Sequence, residues 1–146
     1  NEYLGTIVKQ ISTIDANKPE LTGFNEDCTY YVLYDNEGNE TVGDKIKNDG
    51  SNMPSNWYNY SESRWANIVV ETDGMKTYYT WIPRYEFMLD QTNQRSIVQF
   101  INGTSTQTTT GYQIPEAFWW DNNGNEIQDE GEQLTGYWMT KYQLTN

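Results

Sequence analysis

The sequence lacks histidine altogether and contains a single cysteine, and both absences narrow the chemistry that the chain can perform. Cys28 has no second cysteine with which to form an intrachain disulfide. Without histidine, the usual zinc and haem sites lose their main nitrogen ligand, and a serine or cysteine nucleophile loses its usual base. The neighbours Asp27 and Thr29 favour a strand residue over a nucleophile at Cys28.

Positive charge is scarce, because 9 lysines and arginines stand against 21 aspartates and glutamates, which gives a net charge of −12. This charge repels phosphate backbones and anionic lipid head groups, so we expect no nucleic-acid partner and no membrane-surface partner. The acidity suits either a solvated surface or cation binding, and the solvated surface is the favoured interpretation.

Long apolar runs are missing as well. No stretch approaches the ~20 apolar residues that a bilayer span needs, so we expect no membrane partner in this segment. Apolar residues make up only 36% of the chain, but aromatic residues alone make up 15%. Each aromatic side chain buries a large area, so a core can be built from few of them.

Short runs of β-branched and aromatic residues alternate with polar turns along most of the chain. Asp73-Gly74 lies between two such runs and is the strongest hairpin signal in the sequence, and Pro83 marks an edge, break or bulge in a strand. We predict a mainly β (α+β) fold with about eight short antiparallel strands, in one β-rich domain spanning residues 19–146. The runs interpreted as strands include residues 29–34, 57–60, 77–82 and 112–120.

The N-terminal residues follow a different pattern. Residues 3–14 place their aliphatic side chains at helical spacing, which predicts one short N-terminal amphipathic helix. Pro19 disfavours helix at Lys18, so residues 1–18 are interpreted as a helix and linker.

The C-terminal residues 134–146 form an aromatic-rich strand candidate that is entered through Gly136. The period of two places Trp138, Thr140, Tyr142 and Leu144 on one face. Such a strand pairs within the chain, pairs with a neighbouring molecule, or remains an open edge. The sequence leaves all three alternatives open.

Several motifs occur in a fixed order between residues 17 and 142. They are NKPEL (17–21), WYNY (57–60), WAN (65–67), WIPRY (81–85), YQIPEAF (112–118) and LTGYWMTKY (134–142). This order resembles a family of surface, pilin-like and prophage-encoded proteins of Gram-positive gut bacteria. Longer members continue into a domain similar to formylglycine-generating enzymes and C-type lectins. The family has a histidine where this chain has Ile114, so any role of that histidine is lost.

The resemblance implies a non-catalytic structural module at the cell surface or virion surface, such as a pilin-like filament subunit. It would be extracellular and would form a homo-oligomer or filament through its terminal segments. The catalytic cysteines of the enzymatic relatives have no counterpart here, so we expect no enzyme. The residues expected to contribute to assembly are Trp138, Tyr142, Leu144, Leu4, Ile7 and Ile11.

The alternative function is a lectin-like or adhesin module that binds a glycan or host receptor through exposed aromatic side chains. Most of the aromatic residues are expected to form the core. In Phe118-Trp119-Trp120, however, consecutive rings point to opposite faces of an extended chain, so one of them is exposed or covered by another layer. The candidates for an aromatic ligand platform are Trp119, Trp120, Trp57 and Tyr58, of which the first two are the better candidates for exposure.

One acidic segment has the spacing of a twelve-residue calcium loop. Glu126 occupies the sixth position, where the motif has glycine, and no flanking helices are evident. A turn through residues 122–125 explains the same composition and is favoured, so no cofactor is expected other than calcium at this loop. The calcium ligands in that alternative are Asp121, Asn123, Asn125, Asp129 and Glu132.

Overall fold

Seven β-strands and three short 3-10 helices make up the described secondary structure. The structure, a computed structural model, describes residues 16–127 and 130–145, and only the backbone of residues 130 and 142–145. The protein is mainly β, as the sequence predicts, whereas the predicted helix at residues 3–14 lies outside the described residues. The strands are β1 (Thr29–Tyr34), β2 (Glu40–Lys45), β3 (Asn67–Thr72), β4 (Met75–Pro83), β5 (Tyr85–Asp90), β6 (Arg95–Phe100) and β7 (Gly136–Thr145).

The strands form two sheets, and the chain divides into two compact units. Among the described residues, unit 1 comprises 16–18, Tyr60–Ser63, 83–127 and 130–137, and it contains the two-stranded sheet β5-β6. Unit 2 comprises Pro19–Asn59, Arg64–Ile82 and 138–145, and its strands belong to a five-stranded sheet of order β2-β1-β3-β4-β7.

The hairpin between β3 and β4 forms for the local reason that the sequence suggests. Asp73 and Gly74 both have positive φ, at 51° and 79°, and Thr72 pairs directly with Met75. Positive φ at both central residues is the requirement of a two-residue type I′ turn, and its twist matches that of the flanking strands. The predicted hairpin is confirmed.

Aromatic side chains fill the core of unit 2. Trp57, Tyr31 and Trp81 are buried together with Leu21, Ile46, Ala66 and Ile68. The half-buried Trp138 of β7 packs against this cluster, with its ring centroid 5.4 Å from that of Trp81. Its indole nitrogen donates to the Glu20 carbonyl at 2.7 Å. Strand β7 therefore pairs with β4 inside the chain and contributes to the core.

Strands β2 and β7 lie at the two edges of the five-stranded sheet. Nevertheless, Lys141 Nζ of β7 lies 2.6 Å from Glu40 Oε1 of β2. The sheet is therefore curled, so that its two edge strands come close enough for the side chains of Lys141 and Glu40 to form an ion pair. Both side chains are partly exposed, so this pair contributes less than about 1 kcal/mol, and the curl itself comes from the twist of the strands.

Two of the predicted strands are wrong. A 3-10 helix at Tyr60–Glu62 follows the loop around Trp57, and another at Glu116–Phe118 interrupts residues 112–120. Tertiary contacts override strand propensity at Trp57, whose indole nitrogen is buried and donates to the Asn67 carbonyl at 2.7 Å. Pro115 has no N–H for a ladder and caps the second 3-10 helix with φ −58°. Among the residues that the structure describes, no helix combines the length and the apolar character needed to span a bilayer.

Candidate functional site

The four residues of the predicted aromatic platform are divided between the two units. Trp57 has an exposed fraction of 0% in the core of unit 2, and Tyr58 packs beside it with ring centroids 5.6 Å apart. The prediction that Trp57 belongs to a ligand-binding surface is therefore wrong, because the sheet and its loops cover the ring completely. Trp119 and Trp120 lie in unit 1, where Trp119 is half-buried and Trp120 is 66% exposed.

The opposite orientation of these two tryptophans follows from the local backbone. Trp119 ends the 3-10 helix in an extended conformation, with φ −124° and ψ 130°, and forms an isolated antiparallel bridge with Gln133. Successive side chains of an extended segment point to opposite sides. Trp119 turns towards Glu132 and donates its indole N–H to Oε2 at 3.0 Å, whereas Trp120 turns towards solvent.

Two short segments around Trp120 line a shallow pocket of about 410 Å³, which we call the Trp120 pocket. Trp120 N–H donates to the Glu132 carbonyl at 2.9 Å, and Leu134 N–H donates to the Phe118 carbonyl at 2.7 Å. These bonds hold the two segments side by side. The described residues that line the pocket are Trp120, Asn122, Gly131, Glu132 and Leu134.

Glu132 is the buried polar group of this pocket, with an exposed fraction of 6%. Its Oε2 accepts the indole N–H of Trp119 at 3.0 Å, and its Oε1 accepts the backbone N–H of Asn122 at 3.1 Å. A carboxylate that accepts a bond at each oxygen from fixed donors is held in one orientation. The pocket thus combines an exposed aromatic face with an immobilised acceptor.

Arg84, a residue to which the sequence reasoning gave no role, braces the segments that carry the pocket. It is fully buried, and its Nη1 donates to the carbonyls of Phe118 at 3.1 Å and Leu134 at 3.0 Å. Its Nη2 donates to Gln133 Oε1 at 2.7 Å and, with Nε, to the Ser105 carbonyl at 3.1 and 3.2 Å. Burial lowers the pKa of the guanidinium, and the carbonyl oxygens compensate its charge in place of a carboxylate.

The sequence did contain one signal for this role. Arg84 lies at the centre of the WIPRY motif, directly after Pro83 and among apolar residues, and a charged residue in such surroundings is rarely buried without partners. The identity of those partners depends on segments some 20 to 50 residues away along the chain, at Ser105, Phe118 and Leu134. Sequence pattern alone could not have named them.

The acidic segment beside the pocket folds as a loop closed by its own side chains. Asp121 accepts the N–H groups of Asn125 at 3.2 Å and Glu126 at 2.7 Å. The amide oxygens of Asn123 and Asn125 accept N–H groups two residues further on, at 3.1 and 2.9 Å. Glu126 has φ 59°, so the sharp turn of the sixth position forms here without glycine.

The calcium alternative can therefore be tested only in part against this geometry. Asp121, Asn123 and Asn125 offer oxygen donors within the loop, but Asp129 lies outside the described residues. Both oxygens of Glu132 accept N–H bonds, as given above. Among the residues that are described, no group of three or more Asp, Glu, His or Cys side chains is placed to hold a metal ion. Calcium binding stays a prediction.

The residues predicted to support assembly are described only in part. Trp138 packs into the core of unit 2, as shown above, while Leu4, Ile7 and Ile11 and the side chains of Tyr142 and Leu144 lie outside the description. Met139 and Thr140 of β7 are exposed, and Met139 retains 41% of its accessible area.

The Trp120 pocket, braced by Arg84 and walled by Glu132, is therefore the candidate site, because it combines an exposed aromatic ring with a buried carboxylate. The resemblance to surface and pilin-like proteins stays a prediction, because the chain matches no protein-family model, no curated protein and no solved structure.

Proposed function

We propose that this protein is a non-catalytic, extracellular interaction module of a cell or virion surface, and that it binds a carbohydrate at the Trp120 pocket. The observation that carries the proposal is the 66% exposure of Trp120 on the wall of a pocket whose neighbouring wall is the buried Glu132. An aromatic face stacks on the apolar face of a sugar ring, and a fixed acceptor beside it accepts hydrogen bonds from the sugar hydroxyls.

The pocket has the size and composition that this role needs. Its volume of about 410 Å³ lies within the range of small-ligand sites, which runs from roughly 300 to 1,000 Å³. Leu134 adds an apolar surface, and Asn122 adds an amide that can donate and accept. Arg84, Gln133 and the bonded backbone keep the two walls in place before a ligand arrives, which lowers the entropic cost of binding.

The test is a glycan array of neutral oligosaccharides that end in glucose, galactose or N-acetylglucosamine, followed by calorimetry on the strongest hit. Trp120→Ala removes the stacking face, and we expect it to weaken binding by about tenfold or more, since stacked aromatic contacts contribute on the order of 1–2 kcal/mol. Trp120→Phe keeps a smaller ring and should retain part of the affinity.

Leu89→Ala is the matched control, because Leu89 is also an exposed apolar residue of unit 1, at 62%, but does not line the pocket. The Leu89→Ala variant should bind the glycan with the same affinity as the wild type. An array without hits, or equal affinities of the Trp120→Ala and wild-type proteins, contradicts the proposal.

A second proposal is that the protein is a filament subunit that self-associates along β7. The supporting observation is that β7 is an edge strand on which both Met139 and Thr140 are exposed. An edge strand presents unpaired N–H and C=O groups to which a second copy can add a strand. Deleting β7 is an unsuitable test, because Trp138 belongs to the core.

Met139→Lys places a charge on that edge without touching the core. If copies pair along β7, light scattering should show a smaller assembly for the Met139→Lys variant than for the wild type. Met75→Lys is the control, since Met75 on the neighbouring strand β4 is 39% exposed, close to the 41% of Met139. An unchanged mass for Met139→Lys, or a monomeric wild type, contradicts assembly along β7.

A further inference from the structure

We infer that the loop of residues 104–110 in unit 1, which we call the threonine loop, is a site where sugars are attached covalently to hydroxyl side chains. The loop consists of Thr104, Ser105, Thr106, Gln107, Thr108, Thr109 and Thr110. Segments rich in serine and threonine are typical of proteins that carry O-linked sugars. The inference does not rest on the Trp120 pocket, and it adds a covalent modification to the binding functions proposed above.

The threonine loop combines its hydroxyl groups with an accessible backbone. All of its residues are exposed, and its central part, residues 105–109, belongs to no helix, strand or turn. Other exposed hydroxyl residues, such as Thr41, Thr72 and Thr140, lie within β2, β3 and β7. An enzyme that modifies a side chain must also bind the residues around it, which a strand permits only after it leaves its sheet. The threonine loop can be bound as it stands.

Buried side chains hold this loop by its backbone. Arg84 donates to the Ser105 carbonyl from Nε at 3.2 Å and from Nη2 at 3.1 Å. Glu86, which is only 4% exposed, accepts the N–H of Thr109 at its two oxygens, at 3.3 and 3.1 Å. Because both anchors use backbone atoms, sugars on Thr106 and Thr108 between them would disrupt neither. Sugars can therefore be added to the folded protein without loss of these bonds.

The anchors also rank the acceptors within the loop. Thr106 and Thr108 lie between the two anchored positions, and we expect them to be modified first. Ser105 differs, because its Oγ accepts the N–H of Gln107 at 3.2 Å, and a sugar on this oxygen would crowd that bond. We therefore expect Ser105 to carry the least sugar.

The reaction is a glycosyl transfer by a separate enzyme of the cell. The threonine Oγ attacks the anomeric carbon of a nucleoside diphosphate sugar, and a new C–O bond forms. The bond from the anomeric carbon to the diphosphate breaks, and the nucleoside diphosphate leaves with its electron pair. The hydroxyl proton passes to a base of the transferase. Nothing is oxidised or reduced, so the sugar donor and the enzyme are the only additions that the step needs.

Electrostatics favours a sugar over a phosphate as the added group. Each phosphate would add a charge of about −1.5 to −2. The chain already has a net charge of −12, and the carboxylate of Glu86 is held directly by the threonine loop at Thr109. A neutral hexose or N-acetylhexosamine adds no charge and meets no such repulsion. We therefore expect an uncharged sugar.

The experiment is mass spectrometry of the full chain, purified from the cells that naturally produce it. We expect the intact protein to be heavier than its sequence by whole sugar residues. Fragmentation by electron transfer, which leaves O-linked sugars in place, should map these sugars to the threonine loop, with Thr106 and Thr108 the most occupied. An intact mass equal to that of the sequence overturns the inference, as do sugars that map only outside residues 104–110.

Substitutions in the same cells test the role of the hydroxyl groups. Thr106→Val combined with Thr108→Val keeps the branched shape of both side chains and should remove the sugars that map to these residues. Thr106→Ser combined with Thr108→Ser keeps the hydroxyl groups and should retain them. Thr72→Val is the control, because it removes an exposed hydroxyl from a strand, and its attached mass should equal that of the wild type.

Both pairs of substitutions lie at exposed positions between the anchors, so circular dichroism should show the wild-type fold for each variant. If the valine variant carries the same attached mass at these positions as the wild type, the added group is not on the hydroxyls and the inference is overturned. Mass increments of phosphate instead of sugar would overturn the chemical class. Neither result would affect the Trp120 pocket, whose binding is measured separately.

Discussion

The two units stabilise their interiors by different means. In unit 2, Trp57 is buried among other rings, with a centroid 4.7 Å from that of Tyr31 and 6.5 Å from that of Trp138. In unit 1, rings also meet, as Phe118 and Tyr85 do at 5.3 Å, but the fully buried Arg84 lies among the loops and donates to their carbonyls. The strands of the five-stranded sheet pair with one another, whereas the loops of unit 1 direct their carbonyls to a buried guanidinium.

This difference explains why the candidate site lies in unit 1. In unit 2 the sheet and its loops cover Trp57 and Trp81, so neither ring is available to a ligand. An irregular segment braced by a single side chain can present one ring outwards while its neighbour anchors it, as Trp120 and Trp119 do. Binding residues commonly lie on loops held by a rigid scaffold, and in unit 1 Arg84 provides part of that scaffold.

The largest effect that we expect is from Arg84→Ala. It would leave the buried Phe118 carbonyl and Gln133 Oε1, and the partly buried carbonyls of Leu134 and Ser105, without their guanidinium donor. Each buried group that loses a charged donor costs on the order of 1–3 kcal/mol, and a partly buried group costs less because water can replace the donor. We therefore expect the free energy of unfolding of unit 1 to fall by about 5 kcal/mol or more.

Amide hydrogen exchange resolved by residue is the appropriate measurement, because it reports on β5 and β6 separately from β1 and β3. Arg84→Lys is the matched variant, since it keeps the charge but has fewer donors. Its loss of exchange protection in β5 and β6 should lie between that of the wild type and that of Arg84→Ala. Unchanged protection in β5 and β6 of Arg84→Ala would mean that aromatic packing alone holds unit 1 together.

The next largest effect contrasts two tryptophans. Trp57→Ala removes a fully buried ring from unit 2 and should cost about 3–5 kcal/mol. Trp120→Ala removes an exposed ring from unit 1 and should change stability by no more than about 0.5 kcal/mol. Urea unfolding monitored by circular dichroism checks both values. Equal losses of unfolding free energy in the two variants would show that the Trp120 ring makes more packing contacts than its exposure indicates.

A smaller effect concerns alkaline pH and unit 2. Burial, followed by the charge of Glu40, raises the pKa of Tyr34 from 10.0 to about 12, and the hydrogen bond with Asn67 and the charge of Arg64 oppose this only in part. The folded state then holds the phenolic proton over a pH range in which the unfolded state loses it. The contribution of Tyr34 to the free energy of unfolding is therefore fully present below pH 10 and is lost as the pH rises towards 12.

Chemical unfolding at a series of pH values from 9 to 12, a range set by these two pKa values, measures this dependence. Tyr34→Phe should flatten it, apart from the part that comes from other tyrosines whose pKa burial also raises, such as Tyr31 and Tyr58. An equally steep decline in Tyr34→Phe would assign the alkaline sensitivity to those other tyrosines or to unit 1.

The smallest effect is from Glu126→Gly in the loop beside the pocket. Glu126 has φ 59°, a conformation that costs a residue with a Cβ roughly 1 kcal/mol and costs glycine almost nothing. The greater freedom of glycine in the unfolded chain offsets part of the gain, so we expect a stabilisation of about 0.5 kcal/mol. Its N–H bond to Asp121 is a backbone interaction and is retained. A loss of stability would mean that the Glu126 side chain makes a stabilising contact.

Several elements could be predicted from the sequence because their causes are local. The Asp73-Gly74 turn needs positive φ at two adjacent positions, and this pair of residues provides it. The aromatic and β-branched runs that became β1, β3 and β4 carry strand propensity within themselves. The turn interpretation of residues 122–125 agrees with the Asx hydrogen bonds around it, which link residues two to five apart.

Other features depend on partners that are distant in sequence, and there the predictions were wrong or missing. The predicted ligand platform included Trp57 together with the better candidates Trp119 and Trp120, but Trp57 meets Tyr31 and Trp138 from other strands and is buried. The WIPRY motif did not reveal the role of Arg84, because its acceptors lie in three separate segments. The strand predicted at residues 112–120 is wrong because Pro115 cannot donate to a ladder and caps a 3-10 helix at Glu116–Phe118.

The sequence by itself therefore determined the mainly β class, the acidic surface and the hairpin turns, since these follow from composition and from residues adjacent in the chain. Only the tertiary structure decided that β7 pairs with β4, that Trp57 is fully buried, and that Glu132 and Arg84 support the pocket. The physical reason is that burial depends on which segments cover a side chain, and those segments lie far from it in sequence.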